Sequence, residues 1–437
     1  MDYEEAISFD NLLKALKRCR RGTIWKSSIA GYWINRLKNT YKLRQEILSG
    51  KYRISKYLWF RITEPKEREI YASYIKDRQY QHSIIDNIVY PTLSKNFIKG
   101  NCACQKEKGT KFCIDYLLKQ LREYARKHHN QGYVLQCDIK KFFPSTNHNV
   151  ACKMLCEKLD EKTAKACSDV IRSFAEVSIA KILMTKGYEK DKAHNIGHRL
   201  STRILYGGNI NRVLKDLPVD IANELKDEIS KNDFIGVGLG SQVTQTTQIT
   251  LLDALDHYIT EVLGIKVYVR YMDDFILVHE NKEYLKHCKQ KIAEFLIPYR
   301  LRLNNKTQLF PVNRGMIMLH WHIRVTDTGK VIIRKHRIVL NREKRKLRKQ
   351  KKLLDKGAIT FKEIEHSFQC WQSCIVQQGC YNQIIRMRKF YFDLFGRKAI
   401  EWNLKKRRLK KQGIRTFYST LEASYQKCCV NDMMMPY

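Results

Sequence analysis

Three aspartates are the residues of this chain best placed to do chemistry. Residues 266–279 read Lys-Val-Tyr-Val-Arg-Tyr-Met-Asp-Asp-Phe-Ile-Leu-Val-His, so Asp273 and Asp274 fall between two apolar β-rich runs. That pattern predicts a tight hairpin with the acids at or beside its turn. Asp138 ends another strand-like run, Gly-Tyr-Val-Leu-Gln-Cys, and precedes Ile-Lys-Lys-Phe-Phe-Pro-Ser. An Asp pair alone is common in solvated turns. Two strands that end in acids can instead bring three carboxylates together, and crowding or burying them is costly unless a cation neutralises them. A hard divalent cation is the natural partner because it takes oxygen ligands. Two such ions ~3.5–4 Å apart would activate an attacking oxygen and stabilise a leaving one in phosphoryl transfer.

The elements that must position these acids can be read in outline. Residues 1 to 55 are basic, with Leu12, Leu13, Leu16, Ile34, Leu37 and Leu43 at helical spacing. A strand is expected over Tyr57–Thr63, helices and loops over 75–128, and helices from the Asp138 segment to residue 178. Residues 179–233 read as polar and irregular. The glycines of Gly236-Val-Gly-Leu-Gly240 suit close backbone approach or a turn into a helix from Gln242. Beyond the hairpin, a helix is expected at 281–297 and strands near 301–334. Phe361, Ile364, Phe368, Trp371 and Ile375 form an apolar stripe that predicts a packed helix.

Charge narrows the class of partner. The 437 residues carry 82 Lys and Arg against 44 Asp and Glu, a net charge of +38. Such an excess favours a polyanion, RNA or DNA, held by salt-sensitive phosphate contacts. Dense basic runs at Arg334–Lys352 and Lys405–Lys411 fit that reading. A membrane-surface protein fits poorly, because the basic residues are spread along the chain and no apolar stretch approaches the ~18–20 residues of a spanning helix. The acidic start lacks a secretory pattern. Fourteen cysteines with no paired C-x-x-C spacing imply reduced thiols and a cytoplasmic setting rather than a zinc module.

Taken in order, the segments resemble a reverse transcriptase from about residue 57 to 395. Tyr271-Met-Asp-Asp274 is similar to that family's Y-x-D-D box, Asp138-Ile-Lys-Lys-Phe-Phe143 to the box of the first catalytic aspartate, and Gly240-Ser-Gln-Val-Thr-Gln245 to the glycine box between them. The resemblance implies an α/β (α+β) right-hand polymerase with an antiparallel palm sheet, helical fingers and a helical thumb. On that pattern the fingers span 56–134, the palm 135–325 with an insertion at about 179–233, the thumb 326–400, and a basic tail 401–437, after the helical region 1–55. It implies Asp138, Asp273 and Asp274 as catalytic metal ligands, the Ile139 carbonyl as a further ligand, and two Mg²⁺ ions, with Mn²⁺ able to replace them. Lys66 and Arg68 match a K-x-R motif for the incoming triphosphate. Phe143 matches the sugar gate, where a ring would clash with a ribose 2′-hydroxyl. Leu239 and Gly240 would lie near the nascent base pair, Gln245 would bind substrate, and Lys306 would contact phosphate. Arg270 reads as an ordinary strand charge.

Details of the resemblance point to one branch. Leu239 stands where retroviral and intron enzymes usually have Gln, and G-x-x-x-T-Q is close to a pattern of diversity-generating retroelements and of the bacterial unknown-group, defence-associated enzymes. Gln105-Lys-Glu-Lys-Gly-Thr110 and His366-Ser-Phe-Gln-Cys-Trp371 are similar to finger and thumb motifs of that branch. The separation of 135 positions from Asp138 to Asp273, and Met318-Leu-His-Trp321 in place of Phe-Leu-Gly, depart from compact members. The expected function is RNA-directed DNA synthesis on a dedicated noncoding RNA in antiphage defence, with dNTPs as substrates, cDNA as product and no membrane. A retroelement enzyme, an untemplated or protein-primed polymerase and a catalytically silent RNA scaffold are the alternatives. A homo-oligomer or an accessory protein is left open.

Overall fold

The computed structural model describes residues 1–63, 66–376 and 378–399. The basic tail at 401–437, with Cys428 and Cys429, lies outside the described residues. The chain divides into two compact units, one of residues 1–116 and 135–309, the other of residues 117–134 and the described residues from 310 onward.

In the first unit the basic N-terminal region is helical, as its periodicity predicts. Ser8 caps the helix Phe9–Cys19 by accepting from the Asn11 N–H at 3.4 Å, and Leu12, Ala15, Leu16 and Cys19 are its buried face. Two antiparallel strands follow, β1 (Leu58–Ile62) and β2 (Arg68–Ala72). The main sheet contains β3 (Tyr133–Asp138), β4 (Val267–Tyr271), β5 (Asp274–His279) and β6 (Gln308–Pro311) in the order β4-β5-β3-β6. β4 and β5 are antiparallel and nearly continuous in buried residues, which is the mark of strands covered on both faces. The helix Lys282–Leu296 packs against β5, with Leu285, Cys288, Ile292 and Leu296 buried at helical spacing. Residues 100–102 run along the free edge of β4, where the Arg270 N–H donates to the Gly100 carbonyl (2.8 Å) and the Cys102 N–H to the Arg270 carbonyl (2.9 Å).

Residues 179–233 are not irregular. They are covered by helices Ala175–Thr185, Lys190–Tyr206, Asn211–Leu214 and Val219–Lys231. Ile179, Leu183, Leu200, Leu214, Leu225 and Phe234 belong to a core of their own there. The polar composition belongs to the outward faces of short amphipathic helices, and it masks the apolar stripe. Glu176 ties this bundle to the strand region. Its buried carboxylate accepts the Tyr57 N–H at 3.1 Å and pairs with His194 (2.9 Å) and His198 (2.7 Å).

The second unit contains β7 (Met316–Met318), β8 (Trp321–Val325) and β9 (Val331–Lys335), an antiparallel three-stranded sheet. Met318-Leu-His-Trp321 is the β7–β8 turn, with Leu319 and His320 both left-handed, as a two-residue hairpin loop of the primed kind requires. Helices Arg337–Asp355, Phe361–Val376 and Tyr381–Phe395 follow. Leu347, Ile364, Phe368, Met387 and Tyr391 are buried together, and Phe361 and Trp371 pack against them. The mixed helix and antiparallel-sheet class read from the sequence is the class found. The free thiols include Cys102, Cys113 and Cys137, whereas Cys374 is disulfide-bonded, so the expectation of reduced thiols fails at that position.

Candidate active site

The hairpin turn is the centre of the site. Tyr271 pairs with Asp274, so Met272 and Asp273 are the whole loop. Met272 has φ +59, a conformation that a two-residue hairpin reserves for glycine-like residues. A side chain held there needs support from its surroundings. Arg270 supplies it. Its guanidinium is fully buried and grips Asp256 bidentately, Nε to Oδ1 at 2.6 Å and Nη2 to Oδ2 at 2.5 Å, while Nη1 donates to the Met272 carbonyl at 3.1 Å. Nη2 also donates to the Ile249 carbonyl (3.2 Å), and the Tyr268 hydroxyl to Asp256 (2.6 Å). Arg270 is therefore not the ordinary strand charge expected from sequence. Only the apolar residues around it hinted at its burial.

Asp138 meets this turn. Its neighbour Ile139 donates a backbone hydrogen bond to the Asp273 carbonyl at 3.2 Å. On the other side Ile139 bridges Leu303, and the Asn304 N–H donates to the Asp138 carbonyl at 2.7 Å. The Asn304 side-chain amide donates to Asp138 Oδ2 at 2.5 Å, so the carboxylate is oriented by a residue the motifs did not single out. Lys306 is exposed in the same turn, its N–H donating to Asn304 Oδ1 at 3.2 Å.

The electrostatics record the crowding. Burial, then the Asp138 and Asp273 charges, push the Asp274 carboxyl up to about 7. Asp273 is raised as well, by burial first and by Asp138, with Arg68 and Lys66 pulling against the rise. Five of the sequence-selected residues thus share one electrostatic neighbourhood: Asp138, Asp273, Asp274, Lys66 and Arg68. A cation placed among carboxylates that are costly to ionise would relieve that cost, and this is how the donor set fits a divalent metal. Among the described residues no group of three or more His, Cys, Asp or Glu closes into a ready-made metal cage. Mg²⁺ does not need one, since it is commonly held by one or two carboxylates with water and phosphate oxygens.

The other selected residues lie on the segments joined to these. Phe142 is a core residue and Phe143 is half-buried, the two rings edge to face at 5.9 Å. The Phe143 carbonyl accepts the Val237 N–H at 3.0 Å, which docks the glycine box on this turn. The Leu239 carbonyl accepts the Tyr71 N–H at 3.3 Å, linking that box to β2 and hence to Arg68. A Cβ on Gly238 would lie 2.4 Å from the Phe174 ring and 2.9 Å from Tyr71 Cβ, so this glycine is required for the close approach. Gly240 has φ +124, which only glycine adopts readily. Ser241 then caps the helix Gln242–Leu251, on which Gln245 is half-buried.

No known family model matches the sequence, and no curated protein matches it. Among solved structures, telomerase from Candida albicans in complex with the TWJ fragment of telomeric RNA is 12% identical with a TM-score of 0.38, over 65% of this chain and 46% of that one. Apo telomerase from Candida tropicalis truncated from the C-terminal domain has 12% identity and a TM-score of 0.37, over 69% and 60%. Apo telomerase from Candida tropicalis gives 12% and 0.37, over 68% and 53%. The chain thus spans between 46% and 60% of the length of those proteins, and a likeness this slight carries no functional argument.

Proposed function

We propose that this chain is a metal-dependent nucleotidyltransferase that synthesises DNA on an RNA template, a reverse transcriptase. The observation that carries the reading is the convergence of Asp138 on the Asp273–Asp274 turn, tied by the Ile139-to-Asp273 backbone bond. Asp138, Asp273, Asp274 and the Ile139 carbonyl would hold two Mg²⁺ or Mn²⁺ ions. Bound metal would raise the nucleophilicity of a primer hydroxyl and neutralise triphosphate charge. Lys66 and Arg68 meet the triphosphate, Arg68 with a fork suited to phosphate oxygens. Phe143 closes the space beside the sugar and disfavours a 2′-hydroxyl. Asn304 and Arg270 are positioning residues, the first for the Asp138 carboxylate and the second for the turn.

In this reading the sheet carrying the acids is the palm, β1–β2 belongs to the fingers and the helices from Arg337 form the thumb. The helix Arg337–Asp355 is strongly basic, as suits contact with RNA phosphate. A dedicated noncoding RNA as template and a role in bacterial antiphage defence extend the same proposal. Incorporation of dNTPs on an RNA template–primer tests it. The Asp273→Asn/Asp274→Asn variant should lose incorporation by at least about a hundredfold. Its RNA affinity should stay within about twofold, because phosphate contacts by Lys and Arg set that affinity. Undiminished incorporation by the variant would refute the site, and growth of a homopolymer without template would refute templated synthesis.

A further inference from the structure

We propose that the N-terminal helical region of the first unit binds the unpaired bases of a single nucleic-acid strand, at a surface built on Trp25, Trp33 and the cations that stand over them. From residue 11 to residue 45 the chain carries ten Lys and Arg and no Asp or Glu. Arg18 is held by Asp86, and Lys17, Arg21, Lys38 and Lys42 are exposed. A run of one sign this dense repels itself and calls for a polyanion.

Trp25 is 75% exposed, and it is the one exposed tryptophan among the described residues. Its ring is nevertheless fixed. The indole N–H donates to the Gly22 carbonyl at 3.0 Å. The loop beneath is pinned by backbone bonds from Thr23 to Arg20 and from Lys26 to Thr23, each 3.0 Å. The buried Thr23 hydroxyl adds a bond to the Cys19 carbonyl at 3.1 Å. The polar edge of the indole is thus satisfied within the chain, and its apolar area is left in water. Such a ring regains the lost burial against a flat partner.

The cations accompany the rings. Lys26 Nζ lies 5.4 Å from the centre of the Trp25 ring, and the Arg20 and Arg36 guanidinium carbons lie 4.0 and 5.1 Å from that of Trp33. Gly22, which anchors Trp25, is two residues from Arg20, a span of at most ~7 Å. Both rings therefore belong to one surface. A single strand needs this combination: its bases stack on rings and guanidinium planes, and Lys and Arg take its phosphates. A duplex fits poorly, because its bases are already stacked on one another. Exposed Ile34 and Leu37 on the adjoining helices would suit an anionic membrane too. An interfacial element, however, keeps its cations on the face opposite its rings, and here they lie over the rings.

The surface needs neither metal nor incorporation, so it stands apart from the acidic site. The polymerase reading supplies two candidate strands, the RNA template and the DNA product. Fluorescence anisotropy of the full chain with labelled (CAA)-repeat strands of about 15 nucleotides, in EDTA and without dNTP, tests the proposal. A strand with abasic sites in place of its bases keeps the phosphates and removes the stacking. The parent chain should bind the intact strand at least about fivefold more tightly than the abasic one and lose tryptophan fluorescence on binding. Trp25→Ala, a change at an exposed side chain, should lose most of that preference and bind the abasic strand as the parent does. Arg21→Gln with Lys26→Gln should lower the salt slope of log K by about 1–1.5. RNA and DNA strands of one sequence identify the source: tighter RNA binding assigns the surface to the template, tighter DNA binding to the product, and equal binding to both. Equal affinity of the parent for intact and abasic strands, or a full preference kept by Trp25→Ala, would overturn the proposal. So would Trp25-dependent sedimentation with phosphatidylglycerol vesicles in the absence of base preference. Loss of incorporation in the aspartate variants leaves this assay unaffected, so the two readings fail separately.

Discussion

Replacing Arg270 should separate the stability of the fold from the geometry of the acidic turn. Arg270→Met leaves the Asp256 carboxylate fully buried with, among the described residues, only the Tyr268 hydroxyl as side-chain partner and releases the carbonyls of Ile249 and Met272. Removing one member of a buried ion pair costs about 3–5 kcal/mol. At ~2–4 °C per kcal/mol for a domain of about 150–250 residues, Tm should fall by roughly 6–20 °C. The triple variant Arg270→Met, Asp256→Leu, Tyr268→Phe removes the orphaned charge and hydroxyl as well. Its stability should return to within about 1–2 kcal/mol of the parent, because apolar replacement of a whole buried network is nearly neutral. The bond to the Met272 carbonyl stays lost, so the left-handed turn loses its brace. Nucleotide incorporation should then remain about 10- to 100-fold down, the penalty of a small misplacement of reacting groups. Urea unfolding and primer extension on the same preparations read both effects. A stable triple variant with parental incorporation would refute the bracing role, and an Arg270→Met chain as stable as the parent would refute the energetic reasoning.

Phe143→Ala should raise ribonucleotide use relative to deoxynucleotide use by at least about tenfold, read as the ratio of kcat/KM values. Gly238→Ala forces a methyl into the Phe174 ring at 2.4 Å, and equilibrium unfolding should show a loss of about 1–3 kcal/mol, typical of overpacking. The His82–Asp86 pair, 3.7 Å apart, gives a pH signature. Burial pulls the His82 imidazole down, but Asp86 and Cys19 prevail and hold it up at about 9. A folded value above the unfolded one means that the stabilisation is complete below about 6.5 and is lost as pH rises through 9. Tm of the parent should therefore fall over that window and Asp86→Asn should flatten the fall; parallel curves would contradict the linkage.

The local features of the site were legible because they are local. Apolar runs broken by Met272 and Asp273 announce a hairpin, and Gly240 followed by Ser241 announces a helix start. The partners of those features come from distant sequence. Asn304 reaches Asp138 across 166 positions, and only the sheet order β4-β5-β3-β6 makes them neighbours. Arg270 reads as a surface charge until Asp256, on a preceding helix, is found beneath it. Residues 179–233 read as irregular because Lys, Asp and Asn on the outward faces are interleaved with the apolar positions that pack inward. The requirement for Gly238 was equally hidden, since it is set by the Phe174 ring 64 positions away.

Mn²⁺ binding followed by electron paramagnetic resonance, with a dNTP present, tests the shared acidic site most directly. The parent chain should bind two ions, and Asp138→Asn and Asp273→Asn should each lose at least one while the fold, followed by circular dichroism, is unchanged. If Asp138→Asn binds both ions with parental affinity, Asp138 and the hairpin acids do not hold metal together.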